Sequence, residues 1–263
     1  MPTRRFQVTI EPRLSGVPFL DRSRGKAVSL LSADETSALA AIGTVVQWPK
    51  GTVAYRAKGA ADCVYNLVQG VVKTYEILPD DSTSISGFHF AGDLFGLAEQ
   101  GHYVESAEAV IPSVAFRIPI DALDALLTRN GSLGVRLLCK AADQQRNDRR
   151  HARILVRNDA LGRFAMFLNL LQELGPQRAN VTYFPMSRGD AAQFIGITLE
   201  AMSRASSALE RARVVRFVDR HHFQVLDRER FDQLVAGAYH PTVGRAKPRA
   251  VPGAPRKRTK QKQ

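Results

Sequence analysis

The sequence predicts an α+β protein with an N-terminal β-roll of the jelly-roll type, a long helix and a C-terminal winged helix-turn-helix. Residues 45–118 consist of short apolar runs separated by turn residues, which is the pattern of a β-barrel or jelly roll. After Gly134 the chain continues to Val156 without glycine or proline, which allows one helix about 35 Å long. Residues 184–216 have the pattern of two short helices around a glycine-containing turn, followed by a strand.

The N-terminal part divides into a leader and the β-roll domain. Residues 1–28 contain three prolines and no sustained hydrophobic period, so we expect a flexible leader. The β-roll domain is assigned to residues 29–130 and begins with a helix, in which Ser32 is the N-cap and Glu35 completes a capping box. The predicted elements are a helix at 31–42 and strand-rich segments at 45–48, 52–56, 63–78, 85–96, 106–110 and 113–118.

From residue 120 onward the hydrophobic period becomes helical. The elements follow in order as a short helix at 120–127, a long helix within 131–157, an amphipathic helix at 158–174, a wing hairpin with its turn near 219–222, and a closing helix at 231–238. Residues 158–240 are assigned to one C-terminal domain. Residues 241–263 are rich in proline and basic residues and are predicted to be a disordered tail.

Capping residues define the two helices of the helix-turn-helix. Ser187 is placed to cap the first helix, and Asp190 stands three residues later at the acidic position of a capping box. Gly196 interrupts the helical pattern. Thr198 then caps a second helix that is predicted to run to about Ala212. Two short helices joined in this way present the second helix to the DNA major groove.

The second helix has a polar face suited to reading bases. Glu200, Ser203 and Arg204 are spaced by three and four residues and therefore share one face. Arginine can grip guanine with two hydrogen bonds, glutamate can accept one from cytosine, and serine can bond to either base. The predicted buried side consists of Ala201, Ala205, Ala208 and Leu209. A solvated helix with idle charges is the alternative, and the capped helix before it and the hairpin after it favour DNA reading.

Composition places the protein among globular, two-domain chains of the cytoplasm. The 263 residues suffice for two cores, and 44% of them are apolar. No run approaches the ~18 apolar residues of a membrane span, and the N-terminus lacks the apolar stretch of a signal peptide. We therefore expect a cytoplasmic protein without a membrane partner. Cys63 and Cys139 are far apart, so neither a disulfide framework nor a metal site is expected; they are possible redox residues or small packed hydrophobes.

The basic charge is concentrated in the tail. The formal net charge is +12, which suggests a polyanionic partner. Residues 241–263 hold eight lysines and arginines and no acid, whereas residues 181–240 hold eight basic and seven acidic residues. The net charge of the C-terminal domain therefore does not identify the DNA-binding element. The helix-turn-helix pattern of residues 184–216 identifies it.

The segment MSRGDAAQFIGITLEAMSRASSALE resembles the DNA-binding motif of the CRP/FNR superfamily of bacterial regulators. Its T-x-E-x-x-S-R pattern is most similar to the FNR and FixK branches. The base-reading Glu, Ser and Arg of the family match Glu200, Ser203 and Arg204 without a gap. This resemblance implies double-stranded DNA as the partner and a palindromic site of the TTGA-N-TCAA type. Residues 68–80 and 87–96 resemble the cyclic-nucleotide-binding-like β-roll of the same branches.

The resemblance also implies a homodimer and a contact with RNA polymerase. The long helix corresponds to the dimer helix of the family, and one possible seam is Leu137, Ala141, Gln144, Asp148, His151 and Leu155. This seam is polar in the middle, so the alternative is that it is drawn wrongly and faces water. The loop with Asp80, Asp81 and Ser82 matches a polymerase-contacting loop, or is an ordinary turn. Contacts to DNA phosphates are expected from Ser187, Arg188, Thr198, Arg216, Arg220 and His221.

Three known ligands of the family are not expected. Asp93 stands where a cAMP pocket needs Glu, and Glu105 and Ser106 stand where it needs Arg and Ser, so an acid would face the phosphate. Residues 1–62 lack cysteine, which argues against an FNR-type iron–sulfur cluster. Gly96 and Ala98 occupy the positions of the haem ligands found in CO-sensing members. We therefore expect no cofactor.

The sequence thus predicts a FixK-like regulator, mainly an activator, in low-oxygen or nitrogen-oxide-related gene control. A haem- or other ligand-dependent sensor is the alternative, with His89 or His102 as candidate ligands. An enzyme is not expected, because the sequence has no phosphate loop, nucleophile elbow or HExxH motif. A ligand-binding module with a vestigial DNA domain is a further rival, and the intact base-reading residues argue against it.

Overall fold

The computed structural model describes residues 18–21, 26–29, 32–98, 100–174, 177–178 and 180–238. Strands β1 (Pro18–Asp21) and β2 (Lys26–Ser29) form an antiparallel hairpin in which Phe19 pairs with Val28. This hairpin differs from the predicted flexible leader, because two short apolar segments pair although neither has a recognisable period. The rest of the leader lies outside the described residues, as does the basic tail.

Helix α1 (Ala33–Ile42) has the predicted cap. The Ser32 hydroxyl accepts a hydrogen bond from the Glu35 amide, and the Glu35 carboxylate accepts one from the Ser32 amide, so the capping box is confirmed. The same carboxylate is 3.0 Å from the Arg136 guanidinium and accepts a hydrogen bond from the Ser132 hydroxyl. Glu35 therefore links α1 to the start of the long helix.

Two four-stranded antiparallel sheets form the β-roll and confirm the predicted jelly-roll class. One has the order β3-β10-β5-β8 and the other β4-β9-β6-β7. The strands are β3 (Thr44–Trp48), β4 (Val53–Tyr55), β5 (Cys63–Gln69), β6 (Val72–Ile77), β7 (Thr83–His89), β8 (Leu94–Phe95), β9 (Ser106–Ala109) and β10 (Ser113–Pro119). Gly70 divides β5 from β6 with a φ of 100°, at a point where a Cβ would collide with Ser113. Between the sheets lie the rings of Trp48, Tyr55, Tyr65, Phe95 and Tyr103.

Three helices lead from the roll to the C-terminal domain: α2 (Ile120–Arg129), α3 (Gly131–Leu155) and α4 (Ala160–Leu174). The long helix α3 begins at Gly131, within the predicted range 131–157, because the Asn130 side chain accepts a hydrogen bond from the Leu133 amide and caps it there. Within the described residues, no helix combines the length and apolar character needed to cross a membrane.

The C-terminal domain is a winged helix-turn-helix. Its elements are β11 (Gln177–Arg178), β12 (Val181–Tyr183), α5 (Arg188–Phe194), α6 (Leu199–Arg211), β13 (Val215–Phe217), β14 (His222–Val225) and α7 (Arg228–Ala236). The four strands form one sheet in the order β11-β12-β14-β13. The sequence did not predict β11 and β12, which have only two and three residues. Helix α7 begins before the predicted residue 231, because the Asp227 carboxylate caps it by accepting from the Arg230 amide.

The C-terminal domain packs directly against the roll. The Phe88 ring of β7 lies 5.0 Å from the Phe194 ring of α5 and 6.4 Å from the Phe167 ring of α4. The Lys73 ammonium of β6 is 3.3 Å from the Asp190 carboxylate of α5. One hydrophobic cluster therefore continues from the roll into the helix-turn-helix.

Candidate nucleic-acid interface

The two caps predicted for the helix-turn-helix are present. The Ser187 hydroxyl accepts a hydrogen bond of 2.9 Å from the Asp190 amide at the start of α5. The Thr198 hydroxyl accepts one of 3.1 Å from the Ala201 amide at the start of α6. Gly196 lies in the turn between them with a φ of 64°, a conformation that glycine adopts without strain. Local capping chemistry thus fixes where the second helix begins.

Helix α6 exposes Glu200, Ser203 and Arg204 together on one face. The opposite face is buried and consists of Met202, Ala205, Ala208 and Leu209. The prediction that Ala201 belongs to the buried side is corrected, because the larger Met202 fills the core and leaves Ala201 half-buried. Hydrogen bonds from its own backbone amide and from the Thr198 hydroxyl lower the pKa of Glu200. The exposed face therefore offers an ionised acceptor beside an arginine donor.

Leu199 is a further exposed residue of this face that the sequence analysis missed. It is the first residue of α6, directly precedes Glu200, and its side chain is 53% exposed. It therefore adds an apolar side chain to the exposed N-terminal end of α6, next to Glu200. The signal in the sequence was an apolar residue immediately after the N-cap Thr198.

The wing between β13 and β14 carries the exposed basic residues predicted to face phosphates. The Arg216 guanidinium donates a hydrogen bond of 2.9 Å to Gln224, and Arg220 is exposed at the turn. The Asp219 carboxylate accepts hydrogen bonds from the His221 amide and the His222 ring, which lower the pKa of Asp219. These bonds order the turn that presents Arg220 and His221.

Arg188 does not have the position expected of a phosphate contact. Its guanidinium carbon lies 4.3 Å from the centre of the Phe184 ring and 4.5 Å from that of Phe217. The Nη1 atom is buried and has no hydrogen-bond partner among the described residues. Burial lowers the pKa of Arg188. The predicted phosphate contact is therefore corrected: the aromatic rings of its own domain hold this side chain.

The residues of the predicted dimer seam on α3 divide into two groups. Leu137, Gln144 and His151 are partly buried against the chain's own domains, whereas Ala141, Asp148 and Leu155 are exposed. Leu137 packs against the apolar cluster beneath the roll. The His151 ring stacks on the Phe194 ring at 3.8 Å and donates a hydrogen bond of 2.6 Å to the Phe194 carbonyl. Ala141, Gln144 and Asp148 border a cavity against the roll. The seam therefore stays a prediction, in which the three exposed residues are the ones free to meet a partner.

A different stripe of α3 is exposed along its whole length. Its members alternate at spacings of three and four residues and are Val135, Leu138, Ala142, Gln145, Arg149, Ala152 and Val156. The side chains of Val135, Leu138 and Val156 are 63%, 70% and 77% exposed. This spacing is the heptad pattern of a coiled-coil seam.

The cavity between α3 and the roll has a volume of about 470 Å³. Its charged lining residues are Glu105 and Asp148, and no lysine or arginine lines it among the described residues. Burial raises the pKa of Asp148 and lowers that of His89, so the histidine is neutral near pH 7. A cyclic phosphate requires a cationic partner. The residues present do not fit a cyclic nucleotide.

A buried ion pair joins α3 to the roll beside this cavity. The Lys140 ammonium is 3.1 Å from the Asp93 carboxylate, with 9% and 20% of the two side chains exposed. The carboxylate also accepts a hydrogen bond of 2.8 Å from the Phe90 amide. The sequence analysis missed Lys140, although it follows Leu133 and Leu137 on the buried stripe at spacings of four and three.

The remaining predicted residues lie apart from the exposed face of α6. The hairpin loop between β6 and β7 is exposed, and the Asp80 carboxylate accepts hydrogen bonds from the Ser82 amide and hydroxyl. Those bonds lower the pKa of Asp80.

The two cysteines differ in exposure. Cys63 is buried in the roll, where burial raises the pKa of its thiol, and Cys139 is exposed on α3. His102 is exposed, whereas His89 is buried beside Thr74.

Comparisons with known proteins match both domains. The cyclic nucleotide-binding domain family matches residues 45–130, and the Crp-like helix-turn-helix domain family matches residues 162–234. The transcriptional activatory protein AadR of Rhodopseudomonas palustris is 34% identical over 186 residues, which cover 67% of this chain and 74% of AadR. The nitrogen fixation regulation protein FixK of Bradyrhizobium diazoefficiens is 30% identical over 218 residues, which cover 79% of this chain and 89% of FixK.

The solved structures contain the same fold. FixK2 from Bradyrhizobium japonicum superposes with a TM-score of 0.69 at 28% identity, over 73% of this chain and 97% of FixK2. The roll, the helix-turn-helix and the relatives agree with the resemblance found in the sequence. The chain belongs to the CRP/FNR superfamily of DNA-binding transcription regulators, and within it is FixK-like.

Proposed function

We propose that this regulator binds palindromes of the TTGA-N-TCAA type as a dimer in the bacterial cytoplasm, mainly to activate transcription. The observation that carries the proposal is the shared exposure of Glu200, Ser203 and Arg204 on α6. The relative AadR is named an activatory protein, and FixK is named a regulator of nitrogen fixation. The first name supports activation of transcription, and a role in low-oxygen or nitrogen-oxide-related gene control is proposed from the resemblance to the FNR and FixK branches.

Each exposed side chain of α6 has a base that suits its chemistry. Arg204 donates two hydrogen bonds to guanine O6 and N7, and Glu200 accepts one from the N4 amine of cytosine. Ser203 bonds to either base, and Leu199 contacts a thymine methyl group. Guanine, cytosine and thymine all occur in TTGA and its complement, so one helix end can read one half-site.

Selection of bound sites from random DNA, with and without oxygen, tests this proposal. We expect TTGA and TCAA half-sites in twofold arrangement to be enriched, and the selected palindrome to bind at least about 10³-fold tighter than scrambled DNA of equal length. Enrichment of an unrelated sequence, or equal affinity for both DNAs, would contradict the proposal. A difference between the aerobic and anaerobic selections would indicate an oxygen-dependent state.

The dimer is proposed to form through the exposed heptad stripe of α3. Leu138→Glu places a carboxylate in the apolar centre of the proposed interface, where it is desolvated. We therefore expect the dimer dissociation constant, measured by sedimentation equilibrium, to rise about tenfold or more. Ile77→Glu is the matched control, because it makes the same kind of change at a position that is 65% exposed and away from α3. Equal effects of the two substitutions would place the dimer interface elsewhere.

RNA polymerase is proposed to contact the hairpin loop of Asp80, Asp81 and Ser82. Asparagine at both acidic positions removes the charge and tolerates the left-handed backbone of Asp81, whose φ is 61°. We expect the double substitution to lower transcription in vitro several-fold while the affinity for promoter DNA stays unchanged. Unchanged transcription would mean that the loop is an ordinary turn.

The regulator is further proposed to work without a cyclic nucleotide, an iron–sulfur cluster or haem. The acidic lining of the cavity supports this for cyclic nucleotides. The cavity volume of about 470 Å³ favours, as a second candidate, a sensor for another small ligand. Featureless visible spectra of anaerobically purified protein support the first candidate. A Soret band, or a co-purifying molecule detected by native mass spectrometry, supports the second.

A further inference from the structure

The side chain of Arg188 joins three parts of the C-terminal domain. Its guanidinium carbon lies 4.3 Å from the Phe184 ring, 4.5 Å from the Phe217 ring and 6.0 Å from the Phe164 ring. Phe184 precedes α5, Phe217 ends the first strand of the wing, and Phe164 belongs to α4. Arg188 itself is the first residue of α5, so its guanidinium connects this helix to the wing through the contact with Phe217.

A cation at this point is costly because burial desolvates it, and the attraction of the Glu210 carboxylate offsets only part of that cost. The Nη1 atom of Arg188 is buried and has no hydrogen-bond partner among the described residues. A leucine or methionine would fill the same space without that desolvation penalty. The rest of the compensation comes from the electron-rich faces of the rings, which attract a guanidinium most strongly when it is desolvated. That attraction depends on geometry, so it holds the two rings at fixed positions relative to the cation.

The wing is fastened to the helices on both sides of Phe217. The Phe217 amide donates a hydrogen bond of 3.1 Å to the carboxylate of Glu210, near the end of α6. Its ring is held by Arg188 of α5. Arg216 precedes Phe217 directly, and the turn with Arg220 follows it. The side chains expected to reach phosphates therefore stand on either side of one anchored residue.

We infer that Arg188 is a positioning residue for DNA binding, which sets the wing relative to α6 through its contact with Phe217. The inference rests on the proposed division of labour, in which α6 reads bases and the wing contacts phosphates. When the contact between Arg188 and Phe217 is lost, Arg216 and Arg220 of the wing are no longer aligned with the DNA phosphates. The N-terminal end of α6 keeps its position, because Thr198 still caps it. Affinity then falls about equally for every sequence, and its salt dependence weakens with it.

The test compares Arg188→Met, Arg188→Lys, Phe217→Leu and the double variant Arg188→Met/Phe217→Leu with the full-length parent. Affinity is measured against salt concentration for the selected palindrome and for scrambled DNA. The folded fraction of each variant is taken from circular dichroism, and its DNA-binding fraction from stoichiometric titration with the palindrome. We expect Arg188→Met and Phe217→Leu each to weaken binding to both DNAs about tenfold and to lower the slope of log K against log salt by about one or more. The double variant should be no weaker than either single variant, because both remove one contact.

Three outcomes overturn the inference. If Arg188→Lys and Phe217→Leu both keep the affinity and salt slope of the parent, the charge acts directly on a phosphate and its contact with the Phe217 ring is incidental. If the effects of Arg188→Met and Phe217→Leu add, the two residues act independently. If affinity per folded molecule is unchanged, Arg188 only supports folding. Because scrambled DNA reports the wing contacts, the inference remains testable even if the parent prefers a palindrome other than the proposed one, and that preference is read separately.

Discussion

Substituting methionine for Lys140 is expected to lower the free energy of unfolding by about 3–5 kcal/mol, because the Asp93 carboxylate is left buried without its counter-ion. The hydrogen bond from the Phe90 amide remains, but it satisfies only one oxygen of the carboxylate. Methionine preserves most of the packing volume of the lysine, so the loss reports the charge rather than a cavity. Urea denaturation followed by circular dichroism measures it.

Two control variants separate this effect from a general loss of an ion pair. Asp93→Asn/Lys140→Met removes both charges and should recover most of the stability, since replacing a buried pair by neutral groups is often nearly neutral. Asp62→Asn breaks the exposed Asp62–Arg117 pair and should cost less than about 1 kcal/mol. If Lys140→Met costs no more than Asp62→Asn, the pair does not hold α3 on the roll.

Alanine in place of Arg204 is expected to cost about 1–3 kcal/mol of binding free energy on the selected palindrome. Arg204 is exposed at the reading end of α6, and its planar guanidinium matches the two acceptors of guanine. The preference for guanine at the contacted position should relax, while the affinity for scrambled DNA changes little. Titrations against the palindrome and against single-base variants of it measure both quantities.

Arg211→Ala is the matched control for Arg204. Arg211 is also exposed on α6, but it lies at the last turn, where its side chain donates to the Ser207 carbonyl. Its removal should leave base preference unchanged. If Arg204→Ala binds the palindrome as tightly as the parent does, α6 does not read DNA through this residue.

The elements that local sequence specifies were predictable. Ser187 and Thr198 have the side chains that cap helices, and Gly196 has the freedom that the turn requires, so both helices of the motif begin where expected. The roll was predictable because turn residues separate its strands. The exposed face of α6 followed from helical spacing alone, since it lies near two caps and needs no distant partner.

The features that the sequence could not predict depend on contacts between residues far apart in the chain. The rings around Arg188 come from positions 164, 184 and 217, and no spacing rule connects them. The sequence does not determine the orientation of α3, because both of its faces carry apolar residues: Leu133 is buried, whereas Leu138 is 70% exposed. Only the packing of the roll and of Phe194 against one side decides which stripe remains for a partner.

The contact between the C-terminal domain and the roll makes the protein preorganised. Phe88, His151 and Lys73 hold α5 from the sheet and from α3, so the orientation of the adjoining α6 is limited before DNA is met. The loss of orientational entropy then occurs during folding rather than during binding, which leaves more of the contact energy for affinity. In the proposed dimer, the separation of the two α6 helices becomes a property of the protein, and half-sites with a different spacing are rejected by geometry.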